Sequence, residues 1–166
     1  MTDNGRFNLI DDPWVLVLDH EGETHEVSIL GLLEEAPRYA RIVGDVETQA
    51  FAITRLLLAF VHRALDGPDD EGEWYELWQA DQLPVDDIRR YAERVRPRFD
   101  LFDPQTPFFQ VADLRSESGE VSGLEKMIAD IPNGIPFFTT RSAAAVGTIT
   151  PGEAARWLVH VHAFDP

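Results

Sequence analysis

Cysteine is missing from all 166 positions. Disulfide staples and thiolate metal centres are therefore excluded, and the composition suits a reducing compartment. Lysine is nearly missing as well: thirteen of the fourteen basic residues are arginine, and Lys126 is the single lysine. The longest apolar run, Leu56 to Val61, is far shorter than the roughly 20 residues that cross a bilayer. The opening Met1 to Arg6 has no basic stretch leading into an apolar one, the pattern of a secretory signal. A soluble cytoplasmic protein with no membrane partner is the expectation. Catalytic signatures are absent too: the chain has no phosphate loop, Gly-x-Ser-x-Gly elbow, His-Glu-x-x-His pair or dinucleotide fingerprint.

What the chain has in excess is acid. Thirty Asp and Glu face fourteen bases, for a net charge of −16. A free-standing nucleic-acid binder is normally basic, because neutralised phosphates supply much of its affinity. Charge alone thus argues against DNA or RNA, except through a small local patch. The length matches one domain, and such a chain buries about 70% of its unfolded surface.

Periodicity predicts a helix-rich α+β domain with a small antiparallel sheet. Phe7 to Ile10 and Trp14 to Leu18 are apolar runs of β-formers separated by Asp11-Asp12-Pro13. Trp14 to Leu18, a turn over Asp19 to Glu23, and Thr24 to Ser28 read as a hairpin. A short helix over Ile29 to Arg38 follows. Asp45, as N-cap, opens the clearest helix, with Val46, Ala50, Ile53, Leu57, Phe60 and Ala64 at helical spacing and Gly67-Pro68 as its stop. Beyond an acidic link, Trp74, Leu77 and Trp78 begin a short helix, and Pro84 opens another to about Arg96. Phe99 to Val111 alternates prolines and aspartates with aromatics, which suits an irregular segment pinned by buried rings. Arg115 to Gly123 reads as a mobile loop. Ser122 and Glu125 have capping-box spacing for a helix to about Ile128. Pro132-Asn133-Gly134 signals a turn, Phe137 to Thr139 a strand, and Arg141 to Gly147 a small-residue loop. Thr150-Pro151-Gly152-Glu153 combines N-cap, N1 proline and N3 glutamate for a last helix to about Ala163.

Few constellations carry chemistry. His160 and His162 stand two apart on that helix and so point to different faces, which prevents them from sharing an ion. Asp11-Asp12 resembles a catalytic pair, but adjacent carboxylates after an apolar run are more often a turn. No catalytic residue, metal or cofactor is expected. Arg89, Arg90, Arg94, Arg96 and Arg98 cluster within ten residues, and Arg90 and Arg94 share a helix face. They suit a phosphate or an acidic partner. The alternative is a solvated face paired with Asp86, Asp87 and Glu93.

Several segments together carry a resemblance. Phe7-Asn8-Leu9-Ile10-Asp11-Asp12-Pro13-Trp14 resembles the opening of the large subunit, CasA, of the type I-E CRISPR Cascade complex. So do Ser28-Ile29-Leu30-Gly31-Leu32-Leu33, Gly44-Asp45, and Gln49 with Arg55-Leu56-Leu57-Leu58-Ala59. The match continues through Phe99-Asp100-Leu101-Phe102-Asp103-Pro104, Pro107-Phe108-Phe109-Gln110-Val111, Leu124-Glu125-Lys126-Met127-Ile128 and Ala154-Ala155-Arg156-Trp157-Leu158. Order and spacing agree along nearly the whole chain, and the Phe7 and Phe99 blocks are the most specific.

The resemblance implies an α/β N-terminal domain of a considerably longer protein, whose C-terminal four-helix bundle would lie outside residues 1–166. It implies a non-catalytic role in antiviral defence: recognising the protospacer-adjacent motif in double-stranded target DNA, seeding strand separation and recruiting a helicase-nuclease. The implied partners are other Cascade subunits, guide RNA and duplex DNA. The family loop that docks at the guide-RNA 5′ end and the backbone subunits corresponds to Leu114, Arg115, Ser116 and onward to Lys126. The glycine-rich loop that approaches the motif DNA corresponds to Arg141, Ser142, Ala143, Ala144, Ala145 and Val146. Here alanines replace the glycines, so a backbone could still come close but not with φ > 0. The family's lysine finger and glutamine wedge fall beyond Pro166. Two other readings compete: an acidic protein-interaction domain of unrelated role, and a hydrolase using Asp11, Asp12 or His20.

Overall fold

The computed structural model describes residues 5–129, 131 and 147–164. A three-stranded antiparallel sheet in the order β2-β1-β3 lies beside the helices. The hairpin forms where alternation places it, with β1 at Val15–Asp19 and β2 at Thr24–Val27. Val15 and Val17 are fully buried while Leu16 and Leu18 are half-buried, the two-residue period of a sheet with one face inside. The turn is closed by Asp19, whose Oδ1 accepts from the backbone N–H of Glu21 and of Glu23, each at 2.9 Å. Gly22 supplies the left-handed φ of +92°. The His25 ring and these amides hold the Asp19 carboxyl down at about 2.

The single helix expected over Ile29 to Arg38 is instead two pieces. Helix α1 spans Ile29–Glu34, with the Ser28 hydroxyl accepting from Gly31 N–H at 3.0 Å. A 3-10 turn follows at Ala36–Arg38, because Pro37 has no N–H to continue an α-helix. The chain then enters a strand that periodicity did not suggest, β3 at Tyr39–Ile42. It pairs with β1 through Val17↔Ile42, Leu18↔Arg41 and Asp19↔Tyr39, with a register shift after Leu18.

Helix α2, Glu47–Leu65, runs through the core and buries Ala52, Ile53, Leu57 and Phe60. Its N-cap is Val46 rather than the expected Asp45. The Asp45 carboxylate is turned to Arg156, and the Gln49 side-chain oxygen accepts from Asp45 N–H at 2.9 Å instead. Helix α3, Glu71–Gln79, is capped by Asp70, which accepts from Gly72 and Glu73 N–H. None of its residues is buried. Helix α4, Val85–Val95, buries Ile88 and Ala92 and passes into a 3-10 turn at Arg96–Arg98.

Phe60 joins these parts, meeting Tyr91 and Phe99 edge-on at 4.8 and 5.7 Å. Residues 99–111 form no helix and no multi-residue strand, as expected. Their pinning by rings is only partial: Leu101 and Phe108 are buried, whereas Phe102 and Phe109 are exposed. The N-terminal run locks onto this segment, with Leu9 N–H donating to Phe99 C=O at 2.9 Å and Leu101 N–H to Phe7 C=O at 2.8 Å. Only one isolated bridge, Asn8 to Asp100, results.

Helix α5, Pro151–Phe164, starts at the expected cap, with Glu153 N–H donating to Thr150 Oγ1 at 3.1 Å. It packs against α2 through Ala155 and Val159. Among the described residues no helix is long and apolar enough to cross a membrane.

Leu57 is 5% exposed and its neighbour Leu58 is 58% exposed. Leu57→Ala should therefore cost about 2–5 kcal/mol in a chemical denaturation series. Leu58→Ala should stay within about 0.5 kcal/mol.

Candidate functional site

Two local devices fix the segments that the sequence singles out. The first is Arg156, an arginine on the inward face of α5 whose side chain is 8% exposed. Its Nη1 donates to Glu26 at 2.7 Å and to the Trp14 carbonyl at 2.9 Å, and its Nε faces Asp45 at 3.4 Å. One guanidinium thus joins α5, the hairpin and the entry to α2. Gly152 lets this contact close up: a Cβ there would lie 2.8 Å from Glu26 Oε1 and 3.3 Å from the Pro13 carbonyl.

The second device is a small apolar cluster apart from the main core. Ile128, Ile131 and Trp157 are buried in it, with Val46, Leu124, Met127 and Ile149 packed around them. Leu124 and Met127 flank the Lys126 segment, while Ile131 and Ile149 lie on either side of residues 132–146. The cluster therefore tethers both ends of the interval that contains Arg141 to Val146. Arg141, Ser142, Ala143, Ala144, Ala145 and Val146 themselves lie outside the described residues. So do Pro132-Asn133-Gly134 and Phe137 to Thr139.

Leu114, Arg115, Ser116 and Lys126 are all exposed. Between them the chain makes a turn, with Gly119 N–H donating to Ser116 C=O at 3.0 Å and the Ser116 hydroxyl to Glu120 C=O at 2.8 Å. Ser122 and Glu125 do not form the expected capping box. A 3-10 turn at Leu124–Lys126 replaces that helix, preceded by Gly123 with no side-chain cap. Arg115 and Lys126 have no carboxylate partner among the described residues. Val111, Leu114 and Val121 are 70%, 78% and 94% exposed. The loop from Leu114 to Lys126, which reads as polar, therefore presents Leu114 and Val121 outward, beside an exposed Val111.

The arginine cluster is largely occupied within the chain. Arg89 pairs with Glu34 at 2.6 Å, Arg90 with Asp87 at 2.6 Å, and Arg96 with Asp11. Arg94 lies over the Tyr91 ring at 5.1 Å. Asp86 and Glu93, expected as partners, form no ion pair among the described residues. Arg98 is exposed and has no carboxylate partner among them.

The acid-base candidates serve the fold. Asp11 holds Arg96, Asp12 accepts from Asn8 N–H at 2.6 Å, and the His20 ring meets the Pro37 carbonyl at 3.1 Å. His160 and His162 face apart, as helical spacing requires. His160 meets Thr48 Oγ1 at 3.0 Å, whereas His162 donates to the Phe109 carbonyl at 2.6 Å. No group of acids and histidines among the described residues could hold a metal ion.

Arg156 and Trp157 carry this arrangement, and sequence reading had not singled them out as functional. An arginine between Ala155 and Val159 on an apolar helix stripe was the available signal. Arg156→Met should cost about 2–4 kcal/mol, since it removes charge-assisted bonds and leaves a carbonyl and two carboxylates without their cation. Arg156→Lys should not restore the loss, because an ammonium lacks the planar fork that serves partners in different directions.

Burial pulls the His160 pKa below the ordinary histidine value. The folded state therefore favours the neutral ring. Its contribution is complete above the unfolded pKa of about 6.5 and is lost as pH falls below that. Thermal melts at about pH 7 and about pH 5 should show a smaller acid-induced drop for His160→Phe than for the parent chain.

The chain matches the family model for CRISPR-associated protein Cse1 over residues 8–166. The CRISPR-associated protein CasA/Cse1 of Thermus thermophilus is 37% identical over 163 residues, which are 97% of this chain and 32% of that protein. The chain thus spans about a third of that relative's length. Thermobifida fusca Cse1 superposes with a TM-score of 0.87 at 50% identity, covering 98% of this chain and 30% of its own. Cse1 from Acidimicrobium ferrooxidans gives 0.82 at 37% identity, over 96% and 29%. A chain of a CRISPR RNA-guided surveillance complex shares the fold, with a TM-score of 0.78 at 16% identity, over 95% and 34%.

Proposed function

The chain belongs to the CRISPR-associated Cse1 family, and from that membership we propose that it works as a non-catalytic part of a CRISPR RNA-guided surveillance complex in the cytoplasm. The observation that carries this reading is the continuous match from residue 8 to residue 166, with the fold retained at 50% identity. In this reading the 166 residues are the N-terminal α+β portion of the large subunit, and the four-helix bundle of the family lies outside them. Its partners are the other Cascade subunits, guide RNA, duplex target DNA and the helicase-nuclease.

Leu114, Arg115, Ser116 and Lys126 form the docking segment for RNA and neighbouring subunits. Arg115 and Lys126, which have no carboxylate partner among the described residues, and the outward Leu114 and Val121 support that role. Arg141, Ser142, Ala143, Ala144, Ala145 and Val146 approach the protospacer-adjacent motif. Support comes from the family match, which runs continuously through these positions. Minor-groove reading is degenerate between A·T and T·A, so such a segment tolerates several motifs. Arg89, Arg90 and Arg94 contribute less, since Glu34, Asp87 and Tyr91 already engage them.

The test is a reconstituted complex carrying Lys126→Ala and Arg141→Ala. Target-DNA affinity should fall about tenfold or more, directly through Arg141 and through the seating of the subunit on its RNA at Lys126, while the thermal midpoint stays at the parent value. Parental affinity with parental stability would remove both residues from the site.

A further inference from the structure

An apolar trough of about 490 Å³ opens between α2 and α3. Leu57, Leu58 and Val61 line it from α2, and Trp74, Leu77 and Trp78 from α3. Trp74, Trp78 and Leu58 are 53%, 71% and 58% exposed, and no residue of α3 is buried. A run of side chains at helical spacing that should close a core thus faces solvent. Exposed aromatic surface of this kind marks an interaction site.

The surroundings choose the partner. From Asp66 to Asp87 the chain carries nine acids and no base. Two acidic hollows adjoin the trough. One shares Pro68 and Leu77 with it and is lined by Asp66, Glu73, Glu76 and Asp87. The other shares Leu83 and is lined by Glu34, Glu35, Asp86 and Asp87, with Arg89 there already paired to Glu34. Nucleic acid and anionic membrane are repelled by such a rim. A second copy, itself at −16, brings the same sign of charge. The walls are helical ridges with i, i+3, i+4 spacing, the grooves into which a further helix packs.

We propose that the trough between α2 and α3 docks a basic amphipathic helix of a protein partner, its apolar seam against Trp74 and Trp78 and its flanking cations over the acidic hollows. This is the helix-in-groove mode of recognition, and it stands independently of the DNA and RNA roles proposed above.

The probe is a labelled synthetic helix with a leucine seam flanked by lysines, compared with a twin that has glutamates in place of the lysines. Anisotropy titration of the 166-residue chain should show micromolar binding of the lysine helix only. Trp78→Ala and Leu58→Asn, both at exposed positions, should each weaken it about tenfold. Glu76→Lys should weaken the lysine helix and strengthen its twin. Equal binding of both helices, or indifference to Trp78→Ala and Leu58→Asn, would overturn the proposal. So would a dimer in sedimentation that Leu58→Asn abolishes, which would seat a second copy in the trough. Binding to this chain that disappears in a full-length protein carrying it would hand the trough to that protein's own remaining segment, and would overturn the proposal as well.

Discussion

Arg156 meets three distant stretches of chain through one planar group. It lies 130 residues from Glu26, 142 from Trp14 and 111 from Asp45 in sequence. Closing contacts over such separations carries a loop entropy that only a packed body can offset. The partners answer the desolvation of the guanidinium with a carboxylate and a carbonyl in hydrogen-bond range and a second carboxylate alongside. Several features follow from this single placement. Gly152 suits the close approach of α5 to Pro13 and Trp14, where a Cβ would lie 3.3 Å from the backbone of each. Asp45 turns its carboxylate to Arg156 and leaves α2 without a side-chain cap, while Gln49 Oε1 accepts from the Asp45 backbone N–H. Trp157, about 100° further round α5, is buried in the smaller apolar cluster.

That smaller cluster is a second apolar centre, separate from the one built on α2. Residues 124–127 and the two flanks of 132–146 converge on Trp157, at a distance from the main core built on α2.

The elements that were legible in the sequence are those with local causes. The Asp19 turn, the apolar stripe of α2 and the Thr150-Pro151 start of α5 each announce themselves within a few residues. The ones that were hidden depend on remote partners. Strand β3 has four residues, two of them exposed, and exists because β1 offers an edge. Asp45 looked like a cap until Arg156 claimed its carboxylate. Trp74, Leu77 and Trp78 have the spacing of a core stripe, and nothing in that spacing reveals that the facing side is open. The segment 114–126 reads as polar because serines and glutamates outnumber its aliphatic residues, while burial alone could show which way Leu114 and Val121 point. Of the candidate site, the family resemblance supplied the positions; the residues by themselves showed only a free lysine and an arginine run.

The self-neutralised arginines have a consequence for how this chain behaves in solution with polyanions. Three of the five bases in the cluster between Arg89 and Arg98 are held by carboxylates of the same chain, so they offer little field beyond their own partners. The surplus acids remain uncompensated. Most proteins that meet nucleic acid lose association rate when salt is added, because screening weakens an attraction. Here the long-range force has the opposite sign, so added salt lowers a barrier and encounter with a polyanion becomes faster. A duplex would reach this surface through capture by some other, basic surface, and ionic strength would then tune the two steps in opposite directions.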